Sequence, residues 1–133
     1  MINKMNTKEE WKNYLEKFMK AYNELPELAS LLKPIAPLVF QYQIKDRPEM
    51  NYWQLMEENK INWGMGEYSG PDVPKIVHKT DFNTMKKVNS GETDPIRATM
   101  EGTYVVEGDV NKLVACGPLL PLNAKVHSKV VQK

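Results

Sequence analysis

Residues 38–68 read LVFQYQIKDRPEMNYWQLMEENKINWGMGEY, and the polarity pattern of this stretch decides the fold. Its first part alternates with period two, so that every second side chain from Leu38 to Ile44 is apolar and lies on one face. Gln41, Gln43 and Lys45 fall on the opposite face. Alternation of this kind is typical of a β-strand with one buried side, and it predicts a half-buried strand here.

The rest of the stretch predicts two further strands, over residues 52–57 and 60–68. In the second of these, Ile61, Trp63 and Met65 alternate toward the predicted core. Three strands that follow one another at such short spacing predict an antiparallel meander.

Gly64 and Gly66 lie on the face opposite the apolar residues of that third strand. A strand without side chains at these positions can be approached closely by a helix, a bulge or a ligand. Packing of a helix on the sheet is the favoured interpretation, ahead of direct contact with a ligand.

A long amphipathic helix is predicted before the strands, over residues 7–25, because its apolar residues recur at spacings of three and four. The apolar stripe consists of Trp11, Tyr14, Leu15, Phe18, Tyr22 and Leu25. Thr7 and Glu10 have the spacing of a capping box, which would fix the start of this helix.

Helices are predicted again after the meander. Thr80 or Asp81 can cap a helix that ends near Gly91, and Asp94 followed by Pro95 opens a second helix that runs to about Gly102. The remaining predicted elements are strands over residues 75–79 and 103–107 and a helix through residues 110–114. Strands grouped first and helices grouped later predict an α+β domain: a mainly antiparallel five-stranded sheet with helices on one face.

The composition sets further bounds on function. The 133 residues suit one domain, and 18 basic against 17 acidic residues give a net charge of +1, which disfavours nucleic acid as a partner. Cys116 is the single cysteine, so an internal disulfide is impossible and a cytoplasmic location is expected. No segment reads as a membrane span or an apolar signal core, and no metal or cofactor motif is present.

The phrase MEGTYVVEGD at residues 100–109, followed by Leu113 and by Leu119-Leu120, resembles the sterol carrier protein family. The resemblance covers about residues 38–120, with an N-terminal helix at about 7–25 before it and a C-terminal tail at 121–133 after it. The chain ends in VVQK rather than in a Ser-Lys-Leu type of peroxisomal signal, and Cys116-Gly117-Pro118 interrupts a region where relatives often continue a helix.

Members of that family hold sterols, fatty acids, acyl-CoA or phospholipids in an apolar tunnel between sheet and helices, and some are non-catalytic domains of enzymes. The resemblance therefore implies non-catalytic binding, and possible transfer, of a lipid or other bulky apolar ligand, with no cofactor and at most transient membrane contact. The candidate ligand-binding residues are Trp63, Met65, Phe82, Met85, Met100, Leu113, Leu119 and Leu120. The segment 118–122 is interpreted as part of a lid, and the tail after it as a solvated basic helix.

Other functions are weighed against this one. An apolar groove that receives a partner protein or a second copy of the chain, as in a homodimer, is the main alternative. A cysteine enzyme would need Cys116 beside His78 or His127, and a metal site would need all three together. Neither fits a known local signature, so both are disfavoured.

Overall fold

The computed structural model describes residues 5–131, so the chain termini at 1–4 and 132–133 lie outside the described residues. The predicted capping box is present at the start of the first helix: Thr7 Oγ1 accepts the Glu10 amide at 3.1 Å, and Glu10 Oε1 accepts the Thr7 amide at 3.2 Å. Since these bonds satisfy amides that the helix leaves free, α1 begins at the next residue, Lys8.

The order of elements agrees with the sequence prediction. The helices are α1 (Lys8–Asn23), α2 (Leu28–Leu32), α3 (Phe82–Ser90), α4 (Pro95–Met100), α5 (Val110–Ala115) and α6 (Leu120–Val131). The strands are β1 (Leu38–Ile44), β2 (Tyr52–Met56), β3 (Ile61–Met65), β4 (Lys75–Thr80) and β5 (Tyr104–Glu107). Short 3₁₀ turns lie at Pro48–Met50 and Gly117–Leu119.

The five strands form one sheet in the order β3-β2-β1-β4-β5. The predicted meander β1-β2-β3 is confirmed, and β4–β5 is antiparallel as well. The pairing of β1 with β4 is parallel, so the sheet is mixed but mainly antiparallel. The predicted α+β class, a five-stranded sheet with helices, is confirmed.

Strand β1 departs from the sequence prediction because it is buried on both faces. It occupies the centre of the sheet, and residues 66–74 (the covering loop) fold back over its outer side. Gln41, predicted on the solvent side, is buried and holds this loop: its Nε2 donates to the Gly66 carbonyl at 3.0 Å, and its Oε1 accepts the Tyr68 amide at 2.8 Å. The period-two pattern was correct, but it could not reveal the covering loop.

The same outer face explains Gly64. This residue lies opposite Trp53 in the β2–β3 register, and a Cβ atom there would come within 2.7 Å of the Trp53 ring. The ring of Tyr68 packs against Trp53 with centroids 5.1 Å apart. The missing side chain therefore admits a tryptophan from the neighbouring strand, whereas a helix had been expected.

The C-terminal segment is helical and packs on the rest of the fold. Helix α6 contacts α1 and α3, and its Leu122 and Val126 are buried. Tyr14 of α1 and Nδ1 of His127 are hydrogen-bonded at 2.8 Å. The sequence predicts a solvated tail here, but the described part of this helix packs against α1 and α3 and buries Leu122 and Val126.

We predict that Gln41→Ala lowers the free energy of unfolding by about 2–3 kcal/mol, because it leaves the carbonyl and amide of the covering loop without partners. Urea denaturation of the purified variants measures this change. Gln43→Ala on the same strand is the matched control, because Gln43 is only half-buried and makes no side-chain hydrogen bond with the described residues. Equal effects of the two substitutions would contradict the role of Gln41.

Candidate ligand-binding cavity

An apolar cavity of about 50 Å³ lies between the sheet and the helices. Both the sheet and the helices that cover it contribute residues to its wall. The lining residues are Phe18, Tyr22, Phe40, Tyr42, Gln54, Met56, Ile61, His78, Val88, Asn89, Pro95, Ile96, Leu113, Cys116, Leu119, Leu120 and Asn123. The sheet residues among them share one face because they alternate along β1, β2 and β4, which are in register.

The structure places the eight candidate residues in four environments. Leu113, Leu119 and Leu120 line the cavity. Phe82 and Met85 are buried in the core outside it, and Trp63 and Met65 are half-buried against that core. Met100 is 82% exposed and lies outside the cavity, because α4 turns Ala98 rather than Met100 toward the sheet.

Several wall residues were not foreseen from the sequence. Phe18 and Tyr22 come from α1, and Gln54 and His78 come from β2 and β4. The stripe of α1 and the alternation of β1 already marked an inward face. The register that pairs β1 with β2 and β4 could not be read from the sequence, and it is this register that brings Gln54 and His78 into the wall.

Most polar groups in the wall have partners within the protein. The Tyr22 hydroxyl donates to the Leu119 carbonyl at 2.8 Å, and the Tyr42 hydroxyl donates to Gln54 Oε1 at 2.8 Å. Burial raises the pKa of both tyrosines above its ordinary value, so both remain protonated. These bonds make the wall compatible with an apolar occupant, since a satisfied polar group costs little when water leaves.

His78 lies at the centre of an aromatic row in this wall. Its ring is 4.4 Å from that of Phe40 and 4.7 Å from that of Tyr42, and its Nδ1 is 2.7 Å from the Tyr104 hydroxyl. Desolvation lowers the pKa of His78 to about 3. The imidazole is therefore neutral at physiological pH.

This pKa predicts a pH-dependent stability. In the unfolded chain His78 titrates near 6.5, so between pH 6.5 and 3 the unfolded state binds more protons and the folded state loses stability as pH falls. From pH 8 to pH 5 this one group is expected to lower the free energy of unfolding by about 2 kcal/mol. Urea denaturation at the two pH values measures the loss.

The control is a variant with His78→Phe and Tyr104→Phe, which keeps the stacked rings and leaves no buried hydroxyl unpaired. From pH 8 to pH 5 the free energy of unfolding of this variant is expected to fall by about 2 kcal/mol less than that of the wild type, because the variant lacks His78. A loss equal to that of the wild type would show that His78 is not held neutral by burial.

Cys116 was considered as a nucleophile, and its surroundings oppose that role. The thiol is buried in the cavity wall, and desolvation raises its pKa to about 11. A catalytic thiol would need a neighbouring imidazole to accept its proton. The described hydrogen bonds instead join His78 to Tyr104 and His127 to Tyr14. Within residues 5–131 no three histidine, cysteine or acidic side chains lie close enough to hold a metal ion.

Two other cavities are larger but more open to solvent, and charged side chains border both. One of about 510 Å³ is bordered by Lys86, Lys87 and Glu92, and one of about 300 Å³ by Arg97 and Glu101 among others. Both expose charges of each sign to solvent. The smaller enclosed cavity is therefore the better candidate for an apolar ligand.

The fold is a mainly antiparallel five-stranded sheet with helices over it and an apolar cavity between sheet and helices. No family model matches the chain, and no curated protein matches it by sequence. In the part of the chain that is described, no helix has the length and apolarity to cross a bilayer.

Solved structures identify that fold as the one of sterol carrier protein 2. A sterol carrier protein 2 crystal structure aligns with a TM-score of 0.61 at 16% identity, covering 89% of this chain and 95% of its own. A Thermus thermophilus protein described as possibly a sterol carrier protein gives 0.65 at 15% identity over 92% and 89%. A ubiquinone synthesis protein, UbiJ-SCP2, gives 0.63 at 16% identity over 87% and 94%. The resemblance predicted from the sequence is confirmed at the level of the fold.

Proposed function

We propose that the chain binds the apolar part of a lipid or another bulky apolar molecule in the cavity between sheet and helices, without covalent chemistry. The observation that carries this proposal is the composition of the wall, which contains aromatic, aliphatic and neutral polar residues. The shared fold with sterol carrier proteins supports it. Sterol-like molecules, fatty acids and acyl-CoA are the ligand types we consider.

The wall also limits how such a ligand enters. None of its lining residues, all within the described chain, is Lys, Arg, Asp or Glu. A charged head group would lose its hydration without gaining an ionic partner, which costs several kcal/mol. The acyl chain or ring system therefore enters, at a gain of about 0.8 kcal/mol per buried methylene, and a charged head group stays outside.

The cavity must enlarge to accept such a ligand. Its volume is about 50 Å³, whereas binding sites for molecules of this size generally occupy about 300–1,000 Å³. Helix α5 is the wall element that can move most easily, because none of its six residues is buried. We expect displacement of α5, which carries Leu113, to enlarge the cavity.

The first test of the proposal is native mass spectrometry of gently purified protein, followed by extraction into organic solvent. We expect a fraction of the protein to carry apolar molecules that appear in the extract. An unliganded protein that also fails to bind N-phenyl-1-naphthylamine, a neutral apolar dye, would contradict the proposal.

A pair of substitutions tests the site itself. Leu113→Glu places a charge in the wall and is expected to weaken binding of the dye at least tenfold, by about 1.4 kcal/mol or more. The fold should persist, because Leu113 is half-buried on a helix without buried residues. Met100→Glu is the matched control on the exposed side of α4 and should leave dye binding unchanged. Equal effects of both substitutions would exclude the cavity as the binding site.

A second candidate function is protein interaction, and exposed apolar residues favour it. Ile96 and Met100 share one side of α4, and Val110 and Val114 share one side of α5; all four are more than half exposed. These residues (the α4/α5 surface) border the cavity, because Ile96 and Leu113 belong to its wall. A second copy of the chain could cover them.

If this surface forms a homodimer, the mass in solution will rise with concentration in the wild type and stay monomeric in a Met100→Glu/Val114→Glu variant. Analytical ultracentrifugation from low to high micromolar concentration measures this. Val105→Glu is the control, since Val105 is an exposed valine on the outer face of the sheet. A monomeric wild type throughout would exclude the dimer and leave carriage of an apolar ligand as the function.

We also propose that the chain transfers its ligand between membranes through transient contact. We further propose that it is cytoplasmic. Cys116, the single cysteine, is buried and forms no disulfide within the chain, which suits that compartment.

A further inference from the structure

His78 has one polar atom that the protein does not use. Among residues 5–131 two buried side-chain polar atoms lack a hydrogen-bond partner, His78 Nε2 and Thr93 Oγ1. Thr93 borders an open polar hollow, where water can reach nearby groups. His78 is 1% exposed and belongs to the wall of the apolar cavity, so its free nitrogen is the one that needs an explanation.

The partner of Nδ1 decides which nitrogen carries the proton. The Tyr104 hydroxyl makes its single described hydrogen bond with Nδ1. If Nδ1 donated, the buried Tyr104 proton and the Nε2 lone pair would both be unsatisfied. If Tyr104 donates to Nδ1, only the Nε2 proton lacks a partner. The second arrangement leaves fewer unsatisfied groups, so Nε2 carries hydrogen and is a donor.

The donor is also fixed in position. The imidazole of His78 stacks on Tyr42 and packs at an angle against Phe40, and these contacts together with the bond to Tyr104 hold it on the inner face of the sheet. Because Nδ1 is engaged by Tyr104, Nε2–H is the polar group that His78 has left for an occupant of the cavity. A hydrogen bond to a fixed donor costs little ordering when a ligand binds.

We propose that His78 Nε2–H donates a hydrogen bond to an uncharged acceptor oxygen of the bound ligand, such as a ketone, quinone, ester or hydroxyl oxygen. This inference rests on the proposed function and narrows its ligand class. A carboxylate at this point would be buried in a wall without cationic side chains, so a fatty acid would bind with its carboxylate outside. Burial keeps the pKa of His78 near 3, so the imidazole is a neutral donor across the physiological range.

The test compares two probes of similar size, 2-dodecanone and n-dodecane, which differ by one carbonyl oxygen. Their competition with N-phenyl-1-naphthylamine is measured on the full chain, in the wild type and in the His78→Phe/Tyr104→Phe variant. We expect the preference of the wild type for the ketone over the alkane to fall about tenfold in the variant. Binding of the alkane should change little, since both variant side chains keep an aromatic ring.

The chain offers a matched control in its second Tyr–His pair, Tyr14 and His127, which are hydrogen-bonded at 2.8 Å and lie outside this cavity. The Tyr14→Phe/His127→Phe variant should retain the wild-type preference. If the preference is the same in the wild type and in the His78 variant, the ligand-binding proposal stands and the role of His78 is wrong. If neither probe displaces the dye from the wild type, the proposed function fails and this inference fails with it.

Nitrogen NMR of the wild-type imidazole provides a measurement that does not depend on a folded variant. We expect a protonated, pyrrole-type signal for Nε2 of His78 and a hydrogen-bonded shift of its proton when 2-dodecanone is added but not when n-dodecane is added. A pyridine-type Nε2, or a proton shift that is identical for the two probes, would overturn the proposal.

Discussion

A row of aromatic rings across the sheet positions the cavity and its polar group. Tyr52 stacks on Tyr42 at 4.4 Å, Tyr42 stacks on His78 at 4.7 Å, and His78 reaches the hydroxyl of Tyr104. These four residues come from β2, β1, β4 and β5, so the row depends on the parallel pairing of β1 with β4. A shift of that pairing by one residue would turn His78 to the outer face and replace it in the wall by Val77 or Lys79.

The central position of β1 makes that pairing possible. The strand has a neighbour on each edge, and the covering loop held by Gln41 shields its outer face. The inner face is then free to carry Phe40 and Tyr42 into the cavity. One buried glutamine on the outer face thus supports the position of the cavity-facing side chains on the inner face, because both belong to the same strand.

The sequence contained enough information to predict most of the fold. Alternation every second residue located the strands, and apolar spacings of three and four located the helices. Thr7 and Asp94 each cap the expected helix, and of the two candidate caps Thr80 and Asp81 it is Asp81 that caps α3. Those are local properties, and local propensity is readable from the chain. The parallel β1–β4 pairing and the covering loop join distant segments, so no pattern within a short window contains them.

The candidate site was less predictable, for the same reason. Leu113, Leu119 and Leu120 were expected to be in the wall and lie there, whereas Met100 is exposed. Residue type identifies an apolar side chain but not the direction in which a short helix turns it. From the sequence, His78 was a candidate only for a catalytic or metal site. Its burial and the hydrogen bond of its Nδ1 with Tyr104 result from tertiary packing, which the sequence pattern does not show.

The exposed apolar residues of α4 and α5 and the small size of the cavity are linked, because enlarging the cavity would move α5. A ligand that enlarges the cavity must displace α5, and displacement exposes more of the apolar side that Leu113 shares with the α4/α5 surface. That exposure is unfavourable in water, by about 25 cal/mol per Å², unless a membrane, a second chain or the ligand covers it. Under the proposed function, an apolar surface beside the cavity would couple ligand uptake to contact with whatever delivers the ligand, and the proposed Nε2–H donor of His78 would select among the molecules that enter. In that scheme affinity arises from apolar area and selectivity from one hydrogen bond, so the proposed function predicts that the two can be changed separately.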